Sequence, residues 1–170
     1  MEELVEELKE EGFLKTPRIV ESFLTIDRAH FVPEEMRGFA YINEALPIGF
    51  AQTISQPATV AFMLEELDPQ EGQTILDVGS GSGWTTALLA HIVKDTGKVI
   101  SMEIIPELAA IGKKNVSQYG FLKKGTVKYV QGSGEKGSEQ YAMFHRILIS
   151  ASLPNKSLPQ PLLNQLAPDG

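Results

Sequence analysis

From Pro57 onward the chain alternates short apolar runs with longer stretches of helical spacing. Residues 74–78, 98–102, 126–130 and 146–150 are apolar runs of strand length, several rich in β-branched residues. Between them, residues 58–67, 84–93 and 106–119 place apolar side chains at helical intervals, and residues 162–166 form a last short helix. Strands that alternate with helices specify a parallel sheet joined by right-handed crossovers. The expected fold class is therefore α/β. The expected strand order is 3-2-1-4, with the order reversing beside the first strand.

Before Pro57 the pattern differs. Residues 2–11 form a charged helix with a narrow apolar stripe at Leu4, Val5 and Leu8, closed by Gly12. Thr16-Pro17 starts a second helix, with Thr16 as cap and Pro17 at its first position, and Ile19, Val20, Phe23 and Leu24 supply its apolar face. Residues 27–57 contain Pro33, Pro47, Pro57, Gly38 and Gly49, which read as loop with short elements. Phe31, Val32, Phe39, Tyr41, Leu46, Ile48 and Phe50 make this stretch too apolar for a disordered linker. The expected division is residues 1–57 as a helical and loop segment packed on the core, and residues 58–170 as a ligand-binding domain.

Composition narrows the function. At 170 residues and 42% hydrophobic, the chain fits one domain, or one with a small appendage. A net charge of −7 lacks the basic field that non-specific nucleic-acid binding needs. The absence of cysteine removes disulfides, thiol catalysis and thiolate zinc sites. His30, His91 and His145 are far apart without metal-ligand spacing, so no metal is expected. No apolar run approaches the roughly 20 residues of a membrane span. The acidic start Met1-Glu2-Glu3-Leu4 is no signal peptide. A soluble, cytoplasmic protein is the expectation, with neither nucleic acid nor membrane as partner.

Candidate chemistry begins at Asp77-Val78-Gly79-Ser80-Gly81-Ser82-Gly83, a D-x-G-x-G-x-G turn between strand and helix. The dinucleotide pattern G-x-G-x-x-G fits neither register, since its third glycine falls on Trp84 or Thr86. Glycines at this junction let a ligand approach the backbone. The pattern resembles the cofactor loop of class I S-adenosylmethionine-dependent methyltransferases. Glu103, at the end of the second strand, is placed to accept both ribose hydroxyls of an adenosine. The candidate cofactor-binding residues are Asp77, Val78, Gly79, Ser80, Gly81, Gly83, Glu103 and Ser133.

A third segment is more specific. Leu46-Pro47-Ile48-Gly49-Phe50-Ala51-Gln52-Thr53-Ile54-Ser55-Gln56-Pro57, with Phe31-Val32-Pro33 and Ala40-Tyr41 upstream, resembles protein-L-isoaspartate O-methyltransferases. The resemblance covers the chain from about Glu7. It implies a Rossmann-like class I methyltransferase with a helical N-terminal extension. It further implies S-adenosyl-L-methionine as cofactor, S-adenosyl-L-homocysteine as product, and methyl transfer to the carboxylate of isoaspartyl or D-aspartyl residues in damaged proteins. Ser55 is the catalytic candidate, aiming the carboxylate. Thr53, Ile54 and Ser55 are the substrate-binding set. On local grounds Thr53 and Ser55 are also caps for the helix starting near Pro57, and both roles are expected together.

The chain departs from the family's pattern in several places. Gly132-Ser133-Gly134 stands for Gly-Asp-Gly, Ala51 for Gly, Phe144-His145 for Phe-Asp, and Ser150-Ala151-Ser152 for Thr-Ala-Ala. The family continues with further strands beyond Pro168-Asp169-Gly170, a turn. The expectation is therefore a sheet missing its C-terminal strands, with an apolar edge at 146–150 open to self-association. Two alternatives stay open: a non-catalytic or weakly active cofactor-binding homologue, and a methyltransferase for another substrate.

Overall fold

Four parallel strands form the main sheet because each carries apolar side chains on both faces, and both faces are covered. In this computed structural model, which describes residues 1–152, 157–168 and 170, the sheet comprises β3 (Thr74–Val78), β4 (Lys98–Glu103), β5 (Val127–Gln131) and β6 (Arg146–Ile149). A small antiparallel hairpin, β1 (Leu46–Gly49) and β2 (Gln52–Ile54), precedes them. The main strands lie in the order β5-β4-β3-β6. Counted within this sheet alone, that is the 3-2-1-4 arrangement expected from the sequence. The expected turn at Pro168-Asp169-Gly170 includes Asp169, which lies outside the described residues.

Strand alternation sorts the side chains. Ile75 of β3 and Val99 of β4 face one apolar cluster, and Leu76, Val78, Ile100 and Met102 face another. Asp77 and Ser101 share the face of Ile75 and Val99, where both hydrogen-bond to Thr86. The first face is covered by α4 (Trp84–Val93) and α5 (Pro106–Ser117). Helix α4 is buried almost all round, which its largely apolar sequence favours. Its outer side is covered by α2 (Pro17–Thr25), with Phe23 edge-on to Trp84 at 5.4 Å between ring centres. Helices α1 (Glu2–Glu10) and α3 (Pro57–Leu67) complete this layer, so the apolar core runs across residue 57 without a break. No helix among the described residues is long and apolar enough to cross a membrane.

Several local expectations need correction. The hairpin 46–54 was expected only as loop with short elements. Its two-residue turn, Phe50-Ala51, carries positive φ at both positions (53° and 54°), and neither is the Asn or Gly that such a turn favours. Helix α6 (Phe121–Lys124) is an additional turn, and the last helix, α7 (Gln160–Leu163), lies two residues earlier than expected. Thr16 precedes α2 without a side-chain cap; its hydroxyl instead donates to Glu65 at 2.6 Å. As expected, β6 is an edge strand, paired in the sheet with β3, and its flank carries one further pairing. Phe144, just before it, pairs with Leu166 through Phe144 N–H to Gln165 O and Ala167 N–H to Phe144 O. Leu148 is buried, and Ile147 and Ile149 pack against the second cluster.

Candidate functional site

The Gly79–Gly83 loop sits where β3 hands over to α4, at the carboxyl end of the sheet. Its shape is held by its own amides. Gly79 N–H and Ser80 N–H both donate to Met102 O (2.9 and 3.1 Å), Gly83 N–H to Ser80 O (2.8 Å), and Gly81 N–H to Glu103 Oε2 (2.8 Å). Four of the five loop amides are thus satisfied inside the chain. An amide already donating has no hydrogen left for a phosphate, so this loop offers close approach rather than an anion site of the dinucleotide kind.

Glu103 is the hinge of this arrangement. It is buried at the end of β4, with Oε2 accepting from Gly81 N–H and Oε1 from Ile105 N–H (3.0 Å). A carboxylate has about four lone-pair positions, so two further hydrogen bonds remain available. The same side chain lines a cavity of about 410 Å³ between the ends of β3, β4, β5 and β6. Val78, Met102, Ile104 and Leu108 give the cavity an apolar side, and Gly79, Gly81 and Gly132 to Gly134 bring backbone close. Ser133 lines it too, with Oγ accepting from Glu135 N–H at 3.4 Å.

Three of the cofactor candidates are not on this cavity: Asp77, Gly83 and Ser80, the last of which lines only a smaller cavity. Asp77 is fully buried behind the loop, on the α4 face of β3; its Oδ2 accepts from Thr86 Oγ1 at 2.6 Å and, more distantly, from Thr85 Oγ1 at 3.4 Å. Strand alternation places Asp77 there, because the residue preceding cavity-lining Val78 must face the other way. Burial pushes its carboxyl up to about 6, against the downward pull of the two threonine hydrogen bonds. Gly83 likewise serves packing. At φ 93°, a Cβ there would come within 2.7 Å of the Tyr129 hydroxyl and 3.0 Å of Gly112 O. Asp77 and Gly83, expected as ligand residues, thus stand behind the loop and not on the cavity.

The substrate-side candidates come from β2 and its exit. Thr53 lines the large cavity and also a smaller one of about 40 Å³, shared with Ile54, Ser55, Ser80, Trp84 and Ser150. The two cavities meet at Thr53, Gly79, Gly81 and Ser150, so Ser55 and Glu103 stand on opposite sides of one glycine loop. The capping reading of Thr53 and Ser55 does not hold. Helix α3 has Gln56 as N-cap without a side-chain bond, and Asn43 Oδ1 accepts from Ala58 N–H at 3.0 Å instead. Among the described residues the Ser55 hydroxyl has no hydrogen-bond partner.

Sequence reasoning missed Gln52, Ile104, Leu108 and 150–152, all of which line the large cavity. Ser150-Ala151-Ser152 could have been found from its place after a strand's carboxyl end, where open α/β sheets bind ligands. It also missed Arg28, which no motif marks.

Comparison with known proteins agrees along the whole chain. Residues 1–170 match the Protein-L-isoaspartate(D-aspartate) O-methyltransferase family. A protein-L-isoaspartate O-methyltransferase of Aeropyrum pernix is 46% identical over 98% of this chain, which spans 63% of that relative's length. One of Methanopyrus kandleri is 44% identical over 99% of this chain and 73% of its own. A solved protein-L-isoaspartate O-methyltransferase superposes with a TM-score of 0.87 at 26% identity, covering 98% of this chain and 52% of that one. A Plasmodium falciparum structure of the same family name, in complex with S-adenosyl-L-homocysteine, gives 0.86 at 26% identity, covering 97% and 78%. With a glycine loop braced by Glu103, Thr53 to Ser55 lining the cavity beside it, and this match over every residue, the chain belongs to the protein-L-isoaspartate(D-aspartate) O-methyltransferase family.

Proposed function

We propose that this chain binds S-adenosyl-L-methionine and transfers its methyl group to the side-chain carboxylate of D-aspartyl residues and the α-carboxylate of isoaspartyl residues in damaged proteins. The observation that carries this reading is the placement of the Ser55 hydroxyl and the Glu103 carboxylate across one glycine loop. The residues fit the cofactor. Glu103 has acceptor capacity left for two ribose hydroxyls, the apolar side of the cavity suits an adenine ring, and the loop amides ask for no phosphate. Ser133 lies on the same cavity and can hydrogen-bond without adding charge.

When bound, S-adenosylmethionine supplies a methyl group on a sulfonium sulfur, a good leaving group. The chain's own task is orientation. The acceptor carboxylate is already ionised at neutral pH, since carboxyl pKa values lie near 4, so no general base is needed. Ser55 Oγ donates to that carboxylate and aims one oxygen, and Thr53 and the backbone at Ile54 support it. Alignment of two reacting groups is worth several kcal/mol of barrier when well made. The Asp77 carboxyl, turned away behind the loop, takes no part in this transfer.

The same reading assigns the 1–57 segment to the substrate side and 58–170 to the cofactor side. It names isoaspartyl and D-aspartyl proteins as partners, in the cytoplasm, with no nucleic acid. The test is transfer of labelled methyl from S-adenosylmethionine to an isoaspartyl peptide, with the normal aspartyl peptide as control. Ser55→Ala should lower turnover more than it weakens cofactor affinity. Equal labelling of both peptides, or full turnover in the Ser55 variant, refutes the assignment.

A further inference from the structure

Arg28 is fully buried, yet among the described residues it has no carboxylate partner. Its guanidinium donates only to backbone carbonyls. Nη1 reaches Ala40 O (2.9 Å) and Ile42 O (3.4 Å); Nη2 reaches Glu44 O (2.9 Å) and Ser55 O (3.0 Å). Beneath it lies the Trp84 ring, 5.2 Å from the guanidinium carbon to the ring centre. Burying a cation this way is costly, and burial alone pulls its pKa down to about 10. A well-packed apolar side chain would fill the same volume at less cost. What an apolar residue could not do is join these carbonyls.

The junction is specific. Loop 40–44 already grips the chain after Ser55, through Gln56 Nε2 to Asn43 O (2.9 Å) and Ala58 N–H to Asn43 Oδ1. Arg28 adds the bond to Ser55 itself. Trp84, under the guanidinium, opens the helix that follows the glycine loop and lines the small cavity with Ser55. One side chain therefore touches both halves of the site. We propose that Arg28 is a positioning residue: by fixing the Ser55 carbonyl against loop 40–44, it sets where the Ser55 hydroxyl points. This rests on the proposed methyl transfer.

Lys keeps the charge but lacks the planar fork, so Arg28→Lys isolates the geometry. Arg28→Lys, Ser55→Ala and the double variant are compared with the wild type. Readouts are methylation of an isoaspartyl peptide, S-adenosylhomocysteine binding by calorimetry, and hydrogen exchange over residues 40–58. Arg28→Lys should lower kcat on the order of 10- to 100-fold while S-adenosylhomocysteine affinity stays within about twofold. On the Ser55→Ala background the same change should cost less than about twofold more, because coupled residues are not additive. A wild-type kcat in Arg28→Lys, or its full loss repeated on Ser55→Ala, overturns the proposal.

If the wild type methylates no isoaspartyl peptide, the proposed activity fails, and hydrogen exchange decides the clamp by itself. Amides of 40–58 should then exchange about tenfold faster in Arg28→Lys, with β4 unchanged; equal rates overturn it. If Arg28→Lys does not fold, the wild type still answers. Its 40–44 and 55–58 amides should open in one cooperative step, and two separable rates overturn the clamp.

Discussion

Replacing Asp77 with Asn should stabilise the protein, by an amount that grows with pH. Asp77 is sealed behind the glycine loop, with Oδ2 held by Thr86 and Oδ1 without a partner. Its carboxyl titrates at about 6 in the fold against 3.8 ordinarily. Burial is the main cause, and the nearby Glu103 charge adds to it. At about 1.4 kcal/mol per pH unit, that gap corresponds to about 3 kcal/mol. Below pH 3.8 the carboxyl is protonated whether the chain is folded or unfolded, and the fold tolerates it. Between 3.8 and 6 the unfolded chain ionises first, so stability is lost across this window and stays lost above it. Asn is neutral throughout and keeps an acceptor for Thr86. The difference between variant and wild type should rise from its acid value by about 3 kcal/mol above pH 6.5. For a chain of this size that is roughly 6–12 °C in Tm. An unpaired amide donor at the Oδ1 position would subtract about 1 kcal/mol, equally at every pH, so the slope is diagnostic. Because the isoelectric point is about 5.0, urea melts from pH 3.5 to 8 are preferable to heating. A difference that does not change with pH refutes the reasoning.

Other outcomes follow from the same geometry. Ala51→Gly should raise the unfolding free energy measured in urea by about 0.5–1 kcal/mol, since φ 54° strains any side chain; no gain means the turn is relaxed. Gly83→Ala should cost about 2–4 kcal/mol from its φ of 93° and its contact with Tyr129, and Tyr129→Phe in the same chain should recover part of it. Glu103→Ala should weaken S-adenosylhomocysteine binding by about 1.5–3 kcal/mol in calorimetry, and unchanged affinity would remove Glu103 from the site. Self-association through β6 should be limited by the pairing of Phe144, just before the strand, with Leu166; strong concentration dependence in light scattering would contradict this.

The parallel sheet and its order were legible because the 74–78 and 98–102 runs and the helices between them are strongly periodic. The glycine loop and Glu103 were legible because a turn that admits a ligand needs glycines. Asp77 misled for a related reason. The motif marks it as a ligand residue, but alternation along β3 turns it to the opposite face from Val78, and only the parity of the strand reveals this. The hairpin at 46–54 was hidden because Phe50 and Ala51 occupy backbone conformations that normally call for Asn or Gly. Arg28 was illegible altogether. Its partners are carbonyls, and carbonyls carry no sequence signature.

The glycine loop that satisfies its own amides has a consequence for turnover. A loop that relied on its ligand for hydrogen bonds would be left with bare donors each time the spent nucleoside departed, and would have to reorganise before the next arrived. Here Met102, Ser80 and Glu103 hold four of the five amides from within the chain. Under the proposed methyl transfer, exchange of product for fresh cofactor would then proceed across an intact surface, with little ordering entropy to recover at each cycle. The rate of that exchange is then set by the ligand's own contacts in the cavity, not by refolding of the loop that receives it.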